Sequence, residues 1–170
     1  MSGTDRALQS SVSERHELEE AKMDMQIRTP MTRDVIVAPP RLAIAEAWKA
    51  LRRENIRHLP ITQDGLLVGI VSDRDFLIAG RIHASGEIAF PEQTVAEIMT
   101  MKPIVCSPTS TVADAARLMT SKKIDALPVV AKDRLIGLVT STDLLLLLVD
   151  HAPAEALPFE FRVKEAELTA

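Results

Sequence analysis

Apolar and polar residues alternate along the chain with two different periods. Short apolar runs at 35–38, 59–62 and 67–71 predict strands, and the last run is apolar at nearly every position, which is typical of a strand covered on both faces. The turn residues QDG at 63–65 join the second and third runs. A second helix is predicted to start after Ser72. The first helix, between the first two strands, is predicted from an apolar face with a 3.6-residue period at Ile44, Ala47, Trp48 and Leu51.

The same β-α-β-β-α pattern occurs a second time, 68 residues further on, without a gap. Met31-Thr32 aligns with Met99-Thr100, and Leu59-Pro60 aligns with Leu127-Pro128. The second copy predicts strands near 104–106, 127–130 and 135–139, a helix after Thr140, and a helical stripe at Val112, Ala115, Ala116 and Met119. Because one copy alone is too small to bury a useful core, we expect the two copies to pack together.

The duplication divides the chain. We expect an acidic N-terminal arm at 1–25, with helical character around 14–23, and a first repeat at 26–80. A polar surface connection at 81–93 contains Gly86 and Pro91. The second repeat is expected at 94–150, followed by a proline-containing C-terminal tail at 151–170.

Composition narrows the function. The net charge of −4 and pI near 5.6 argue against nucleic-acid binding, which favours a basic face. Cys106 is the single cysteine, so no intramolecular disulfide can form, and a reducing compartment fits. The longest apolar run, 144–149, is far shorter than the roughly 20 residues that span a bilayer. With no apolar N-terminal stretch, we expect a cytoplasmic protein without a membrane partner. Aromatic residues make up 3% of the chain, so we expect an aliphatic core.

The predicted last helix of each repeat starts with a hydroxyl residue that is followed three residues later by an acid. The two pairs are Ser72–Asp75 and Thr140–Asp143. This spacing is that of a capping box, in which the hydroxyl and the acid satisfy N–H groups of the first helical turn. Thr111–Asp114 has the same spacing, whereas the equivalent Ala43 has no hydroxyl. A carboxylate at a helix N-terminus also suits the two hydroxyls of a ribose. Sequence leaves both interpretations open.

The paired stretches "IRHLPI…GIVSDRD" and "IDALPVV…GLVTSTD" resemble tandem cystathionine-β-synthase (CBS) domains, also called a Bateman module, over roughly 27–149. The resemblance implies an α/β fold in which two β-α-β-β-α repeats pack sheet to sheet with pseudo-twofold symmetry. It also implies a homodimer and a regulatory, non-catalytic role exerted through an unknown effector protein.

The family's ligand residues, carried onto matching positions, predict two clefts between the repeats. One cleft, named here the Asp143 cleft, is predicted to use Ile36, Ile56, Arg57, Thr140, Thr142 and Asp143. The other, the Asp75 cleft, is predicted to use Ser72, Arg74, Asp75, Ile104, Ile124 and Asp125. The implied ligand is AMP, ADP or ATP, ahead of S-adenosylmethionine or NADH, and no cofactor is required.

The two clefts differ in charge. Arg57 can form a forked pair with phosphate, whereas its counterpart Asp125 would repel one, so we expect the Asp143 cleft to take a phosphorylated ligand. Arg33 and Arg53 are candidate helpers there. For the Asp75 cleft three alternatives stay open: it is empty, it uses Arg74 or Lys122 as a cation, or it takes a less charged ligand.

Other functions have little support in the sequence. The histidines His16, His58, His83 and His151 are scattered and suggest no metal site, and no nucleophile–base pair is placed by the repeat. Cys106 lies where the other copy has Ala38, which predicts a small buried residue. The alternative to a sensor is a ligand-free dimerisation scaffold, because the apolar run at 144–149 is suited to self-association.

Overall fold

Both repeats fold in the predicted order in the computed structural model, which describes residues 24–149. Repeat 1 contains α1 (Ile44–Arg53), β1 (His58–Gln63), β2 (Leu66–Ser72) and α2 (Asp73–Ala79). The connection contains β3 (Arg81–Ile82) and β4 (Ile88–Ala89), and repeat 2 begins with a 3₁₀ turn (Val95–Glu97) and β5 (Thr100–Met101). Repeat 2 contains α3 (Val112–Lys122), β6 (Ala126–Ala131), β7 (Arg134–Thr140) and α4 (Ser141–Val149). The α/β class is confirmed. The predicted helix around 14–23 and the predicted tail at 151–170 lie outside the described residues.

The sheet joins the two repeats. β1 pairs antiparallel with β2, and β6 with β7, each across a two-residue turn with positive φ. β2 and β7 then meet antiparallel through Leu66 and Arg134, which occupy equivalent positions of the two repeats. Because these equivalent residues face each other, the pseudo-twofold axis passes between them. The same axis relates the Asp75 cleft to the Asp143 cleft.

The predicted first strand of each repeat is reduced to a single parallel bridge, Ala38 to Ile61 and Cys106 to Val129. The prediction of strands at 35–38 and 104–106 was therefore too long. Continuing the parallel ladder backwards would require the N–H of Pro60, and continuing it forwards would require that of Pro40. Neither N–H exists, and prolines occupy the equivalent positions in repeat 2.

The core consists of two clusters whose buried members correspond at the 68-residue offset except for Met31 and Phe76, and each cluster includes a residue from the start of the other repeat. Ile27, at the start of repeat 1, is fully buried in the cluster of repeat 2. Its equivalent Val95, at the start of repeat 2, is fully buried in the cluster of repeat 1. The exchange is fixed by matching backbone hydrogen bonds, from Ile27 N to Ser110 O (2.8 Å) and from Val95 N to Leu42 O (2.9 Å). The repeats are thus held together by two reciprocal lead segments, which are residues 26–37 of repeat 1 and 94–105 of repeat 2.

An aromatic group distinguishes repeat 1. Phe76 is fully buried, and its ring centroid lies 5.6 Å from Trp48 and 6.2 Å from Phe90. Phe90 belongs to the connection, whose β3–β4 hairpin is otherwise mostly exposed. The prediction of a surface connection therefore missed one anchoring residue, and the expectation of a purely aliphatic core was wrong for this repeat.

Within residues 24–149, no helix combines the length and apolarity needed to cross a membrane.

Candidate functional site

Two cavities lie where the helices after β2 and β7 begin. Each helix starts directly at the end of its strand, so its first residues border the space between the repeats. Free N–H groups and the helix dipole at such a start favour negative charge. The residues that line each cavity come from both repeats.

The acid of each recurring motif closes a capping box. Asp75 Oδ2 accepts hydrogen bonds from Ser72 N at 2.7 Å and Ser72 Oγ at 2.8 Å. Asp143 Oδ2 accepts equivalent bonds from Thr140 N and Thr140 Oγ1 at the same two distances. The capping interpretation is therefore correct in both repeats. In each case only one carboxylate oxygen is used, and Oδ1 has no hydrogen-bond partner within residues 24–149.

The structure brings together all six residues predicted for the Asp143 cleft. They line a cavity of about 270 Å³, which is also lined by further residues from both repeats. Ile36 and Ile56 supply apolar side chains from repeat 1, opposite Thr140 and Asp143 of repeat 2. Arg57 Nη2 lies 3.5 Å from Thr142 Oγ1 across the cleft. Thr32, Asp34, Val35, Asn55, His58 and Leu138 complete the lining.

All six residues predicted for the Asp75 cleft also lie together, around a larger cavity of about 470 Å³. Ile104, Ile124 and Asp125 of repeat 2 face Ser72, Arg74 and Asp75 of repeat 1. The cation contributed by the end of α3 is Lys123. Lys122, its predicted counterpart, does not line the cavity.

Arg57 lines both cavities, so it is not a feature of the Asp143 cleft alone. The Asp75 cleft also contains Arg74 and Lys123. The contrast in charge between Arg57 and Asp125, on which the preference for the Asp143 cleft depended, is therefore smaller in three dimensions than along the sequence. A cavity of about 470 Å³ also lies well within the size range of small-molecule sites.

His58 lines both cavities as well, although it was not predicted to lie in either cleft, and its equivalent in repeat 2 is Ala126. Burial, and then the positive charge of Arg57, lower the pKa of His58 below 6.5, against smaller opposing contributions from Asp73, Asp125 and Asp75. The sequence indicated a cleft position for His58 only through its place directly after Arg57, a predicted cleft residue. The side chain is suited to act as a neutral hydrogen-bonding group in the wall between the clefts.

The family profile described as "CBS domain" matches residues 24–81 and again residues 95–150. The chain belongs to the CBS domain family. The YhcV CBS domain-containing protein of Bacillus subtilis is 31% identical over 118 residues, which cover 69% of this chain and 81% of that protein. Two other curated relatives, which carry enzyme names, are matched over only 28% and 22% of their lengths.

Solved CBS domain pairs have the same fold. The CBS pair of protein MJ0100, in complex with 5-methylthioadenosine and S-adenosyl-L-methionine, has a TM-score of 0.65 and 31% identity, covering 74% of this chain and 97% of that one. CBSX2 in complex with AMP has a TM-score of 0.64 and 28% identity, covering 74% and 96%.

Three further predictions about individual residues of the CBS pair differ in outcome. Cys106 is buried, as expected, and burial raises the pKa of its thiol to about 11, which argues against a nucleophile. Arg53 pairs with Glu54 on the surface and lines neither cleft, so its predicted role as a helper has no geometric support. Arg33 lines neither cleft but lies in a neighbouring cavity.

Within residues 24–149, no group of three acidic, histidine or cysteine side chains could hold a metal ion.

Proposed function

We propose that this CBS pair is a non-catalytic sensor that binds an adenine nucleotide or a related adenosyl ligand between its repeats and signals to an effector protein. One observation carries the proposal. Each capped acid, Asp75 or Asp143, lies in a cavity whose opposite wall belongs to the other repeat.

The polar end of each cleft suits a ribose. Oδ2 of the acid is held by the backbone and hydroxyl of the capping residue, which fixes the carboxylate, while Oδ1 is unpartnered within residues 24–149. A fixed acceptor of this kind can take hydrogen bonds from vicinal ribose hydroxyls without a further ordering cost.

The apolar end suits an adenine ring. Ile36 and Ile56 line the Asp143 cleft, and their equivalents Ile104 and Ile124 line the Asp75 cleft. The ligands named with the two neighbouring structures, AMP, 5-methylthioadenosine and S-adenosyl-L-methionine, share an adenosine unit. That shared unit, rather than a phosphate, supports the assignment of the ligand class to this chain.

A phosphorylated ligand fits the Asp75 cleft at least as well as the Asp143 cleft. The larger volume and the cations Arg57, Arg74 and Lys123 favour it, against three acids in the same lining, Asp73, Asp75 and Asp125. In the Asp143 cleft, Arg57 faces two acids, Asp34 and Asp143. We therefore propose AMP, ADP or ATP for the Asp75 cleft, and an adenosyl ligand of any charge for the Asp143 cleft.

A bound ligand would act by selecting a relative orientation of the repeats. Because each cavity takes residues from both repeats, a ligand contacts both and favours the arrangement in which both sets of contacts form. The exposed apolar residues of α2 and α4 form a surface through which this change in orientation can be passed to another protein chain. Leu77 and Ile78 occupy positions equivalent to Leu145 and Leu146, and all four are exposed. We propose that this surface forms a homodimer.

Thermal unfolding with AMP, ADP, ATP, S-adenosylmethionine, 5-methylthioadenosine and NADH tests the proposal. A ligand at 100 times its Kd adds about 2.7 kcal/mol of stability, which is a readily measured rise in Tm. We expect a rise with at least one of them. If none raises Tm and calorimetry detects no heat of binding, the sensor proposal is wrong and the ligand-free scaffold is favoured.

A further inference from the structure

A third cavity, of about 280 Å³, adjoins the Asp143 cleft and contains two arginines. Arg33 and Arg134 line it, together with Val35, which also lines the Asp143 cleft. Val37, Thr62, Gly65, Leu135, Ile136 and Gly137 complete its lining. The cavity lies between the lead segment of repeat 1 and β7 of repeat 2, so it is again built from both repeats.

Neither arginine is neutralised by an acid. Within residues 24–149, no Asp or Glu forms an ion pair with Arg33 or Arg134. Arg33 Nη2 donates to Arg28 O at 2.7 Å, a backbone contact that holds the guanidinium without cancelling its charge. In a chain with a net charge of −4, two uncompensated guanidinium groups in one small cavity form a local positive site.

Gly65 lies directly beside the guanidinium group of Arg134. A Cβ at this position would lie 2.6 Å from Arg134 Nη2, so a larger residue there would make the guanidinium move from its observed position. Gly65 also has a φ of +78°, within a turn that its neighbour Asp64 enters with a φ of 53°. Glycine suits this position for two reasons, because it adopts the positive φ without strain and because it has no Cβ beside the arginine.

The equivalent positions of the other repeat carry no arginine. Met101 stands at the position of Arg33 and Leu66 at that of Arg134, and their side chains are 70% and 47% exposed. The counterpart of Gly65 is Asp133, which has a Cβ and a carboxylate. The arginine pair is thus not repeated at the equivalent positions and does not follow from the duplication itself.

We propose that Arg33 and Arg134 form a phosphoryl-binding site next to the Asp143 cleft. Two guanidinium forks offer more N–H donors than the two oxygens of a carboxylate can accept, whereas a phosphoryl group has three oxygens and a higher charge. The phosphoryl group comes either from free phosphate or pyrophosphate, or from the tail of a nucleotide in the adjoining cleft.

Pyrophosphate titrated calorimetrically into the intact protein tests the free-anion source and does not depend on the proposed nucleotide binding. The variants Arg134→Leu and Arg33→Met introduce the residues found at the equivalent positions, Leu66 and Met101. Arg117→Leu removes the same charge from the exposed face of α3 and is the matched control. We expect each of the first two variants to weaken pyrophosphate binding about tenfold or more, and the control to leave it unchanged.

AMP and ATP titrations test the nucleotide source. If ATP binds more tightly than AMP, and Arg134→Leu abolishes that difference while leaving AMP affinity intact, the site binds a phosphate tail. Equal pyrophosphate affinity in all four proteins, or equal loss in the Arg117→Leu control, would overturn a free-anion site. The proposal is wrong altogether if pyrophosphate does not bind and Arg134→Leu changes ATP and AMP affinity alike. Binding of pyrophosphate without binding of any nucleotide would support this site and contradict the adenosyl sensor, so the two failures are distinguishable.

Discussion

Asp143 Oδ2 lies 2.7 Å from the backbone N of Thr140 and 2.8 Å from its Oγ1, and this geometry unites the two interpretations of the recurring motif. A carboxylate that caps a helix with one oxygen keeps the other for a ligand. The cap and the proposed ribose site are therefore compatible, and the cap fixes the orientation of the acceptor.

Asp143→Asn separates these two roles when it is compared with Asp114→Asn. Both acids belong to capping boxes, but Asp114 caps α3 through Thr111 and lines neither cleft. We expect both variants to lower the free energy of unfolding by about 1 kcal/mol or less. Only Asp143→Asn should weaken adenosyl-ligand binding, by about tenfold or more, because an uncharged amide is a poorer acceptor for two hydroxyls.

Urea unfolding and calorimetric ligand titration on the two variants provide the measurements. Equal ligand affinities in wild type and Asp143→Asn would remove Asp143 from the proposed site. A comparable loss in Asp114→Asn would indicate that the cap acts through overall stability instead.

Ala43→Ser should stabilise the protein. Ala43 is the N-cap of α1, has extended backbone angles and makes no side-chain cap, while Glu46 already stands at the third helical position. A serine there completes the capping box that Thr111 and Asp114 form at the equivalent position of repeat 2. We expect a gain of about 0.5–1 kcal/mol in urea unfolding. Ala45→Ser, inside the first turn of the same helix, is the control and should bring no gain; an equal effect of both would contradict the capping argument.

The local pattern of this fold was predictable from the sequence because each repeat shows it independently. The apolar stripe of α1 and the QDG turn placed the long helix and the hairpin within a residue or two of their observed bounds. Since the offset is constant, each prediction in one repeat was supported by the other. The strands at 35–38 and 104–106 failed because no apolar pattern reports the N–H that Pro60 and Pro128 lack.

What the sequence could not predict are contacts between distant segments. Nothing in the apolar pattern around Ile27 indicates that it packs into repeat 2 rather than repeat 1. Likewise, Arg57 was placed in one cleft by comparing repeats, whereas its long side chain borders both cavities. Arg33 and Arg134 are 101 positions apart in the numbering and meet only because β7 runs beside the lead segment of repeat 1.

The proposed homodimer surface can be tested with Leu146→Lys. Leu146 is 52% exposed on α4, and its equivalent Ile78 is 77% exposed on α2. A lysine in the centre of an apolar interface would leave a charge unpaired on dimerisation, so we expect sedimentation equilibrium to show a monomer. Ile82→Lys, at a 69% exposed position of the connection hairpin, is the control and should stay dimeric. A monomeric wild-type protein, or a dimeric Leu146→Lys variant, would refute this surface.

His58 should make the protein less stable as the pH falls. Its pKa in the folded protein lies below 6.5, because burial and then the positive charge of Arg57 disfavour the protonated ring. The unfolded chain therefore binds a proton at a higher pH than the folded chain does. The contribution of neutral His58 to stability is complete above pH 6.5 and is lost as the pH falls from there through the folded pKa, below which this group causes no further change. Asp73, Asp125 and Asp75 oppose the shift but do not reverse it.

His58→Ala, which introduces the residue of the equivalent position Ala126, should reduce the loss of unfolding free energy between pH 7.5 and pH 5.5. The comparison is between slopes, so a uniform loss of stability from the smaller side chain does not obscure it. His83→Ala, on the exposed hairpin, is the control and should keep the wild-type slope. Urea unfolding at several pH values measures each slope. An unchanged slope in His58→Ala would mean that the protonation of His58 is not linked to folding, and that the wall it forms between the two clefts admits enough water to keep the charged ring stable.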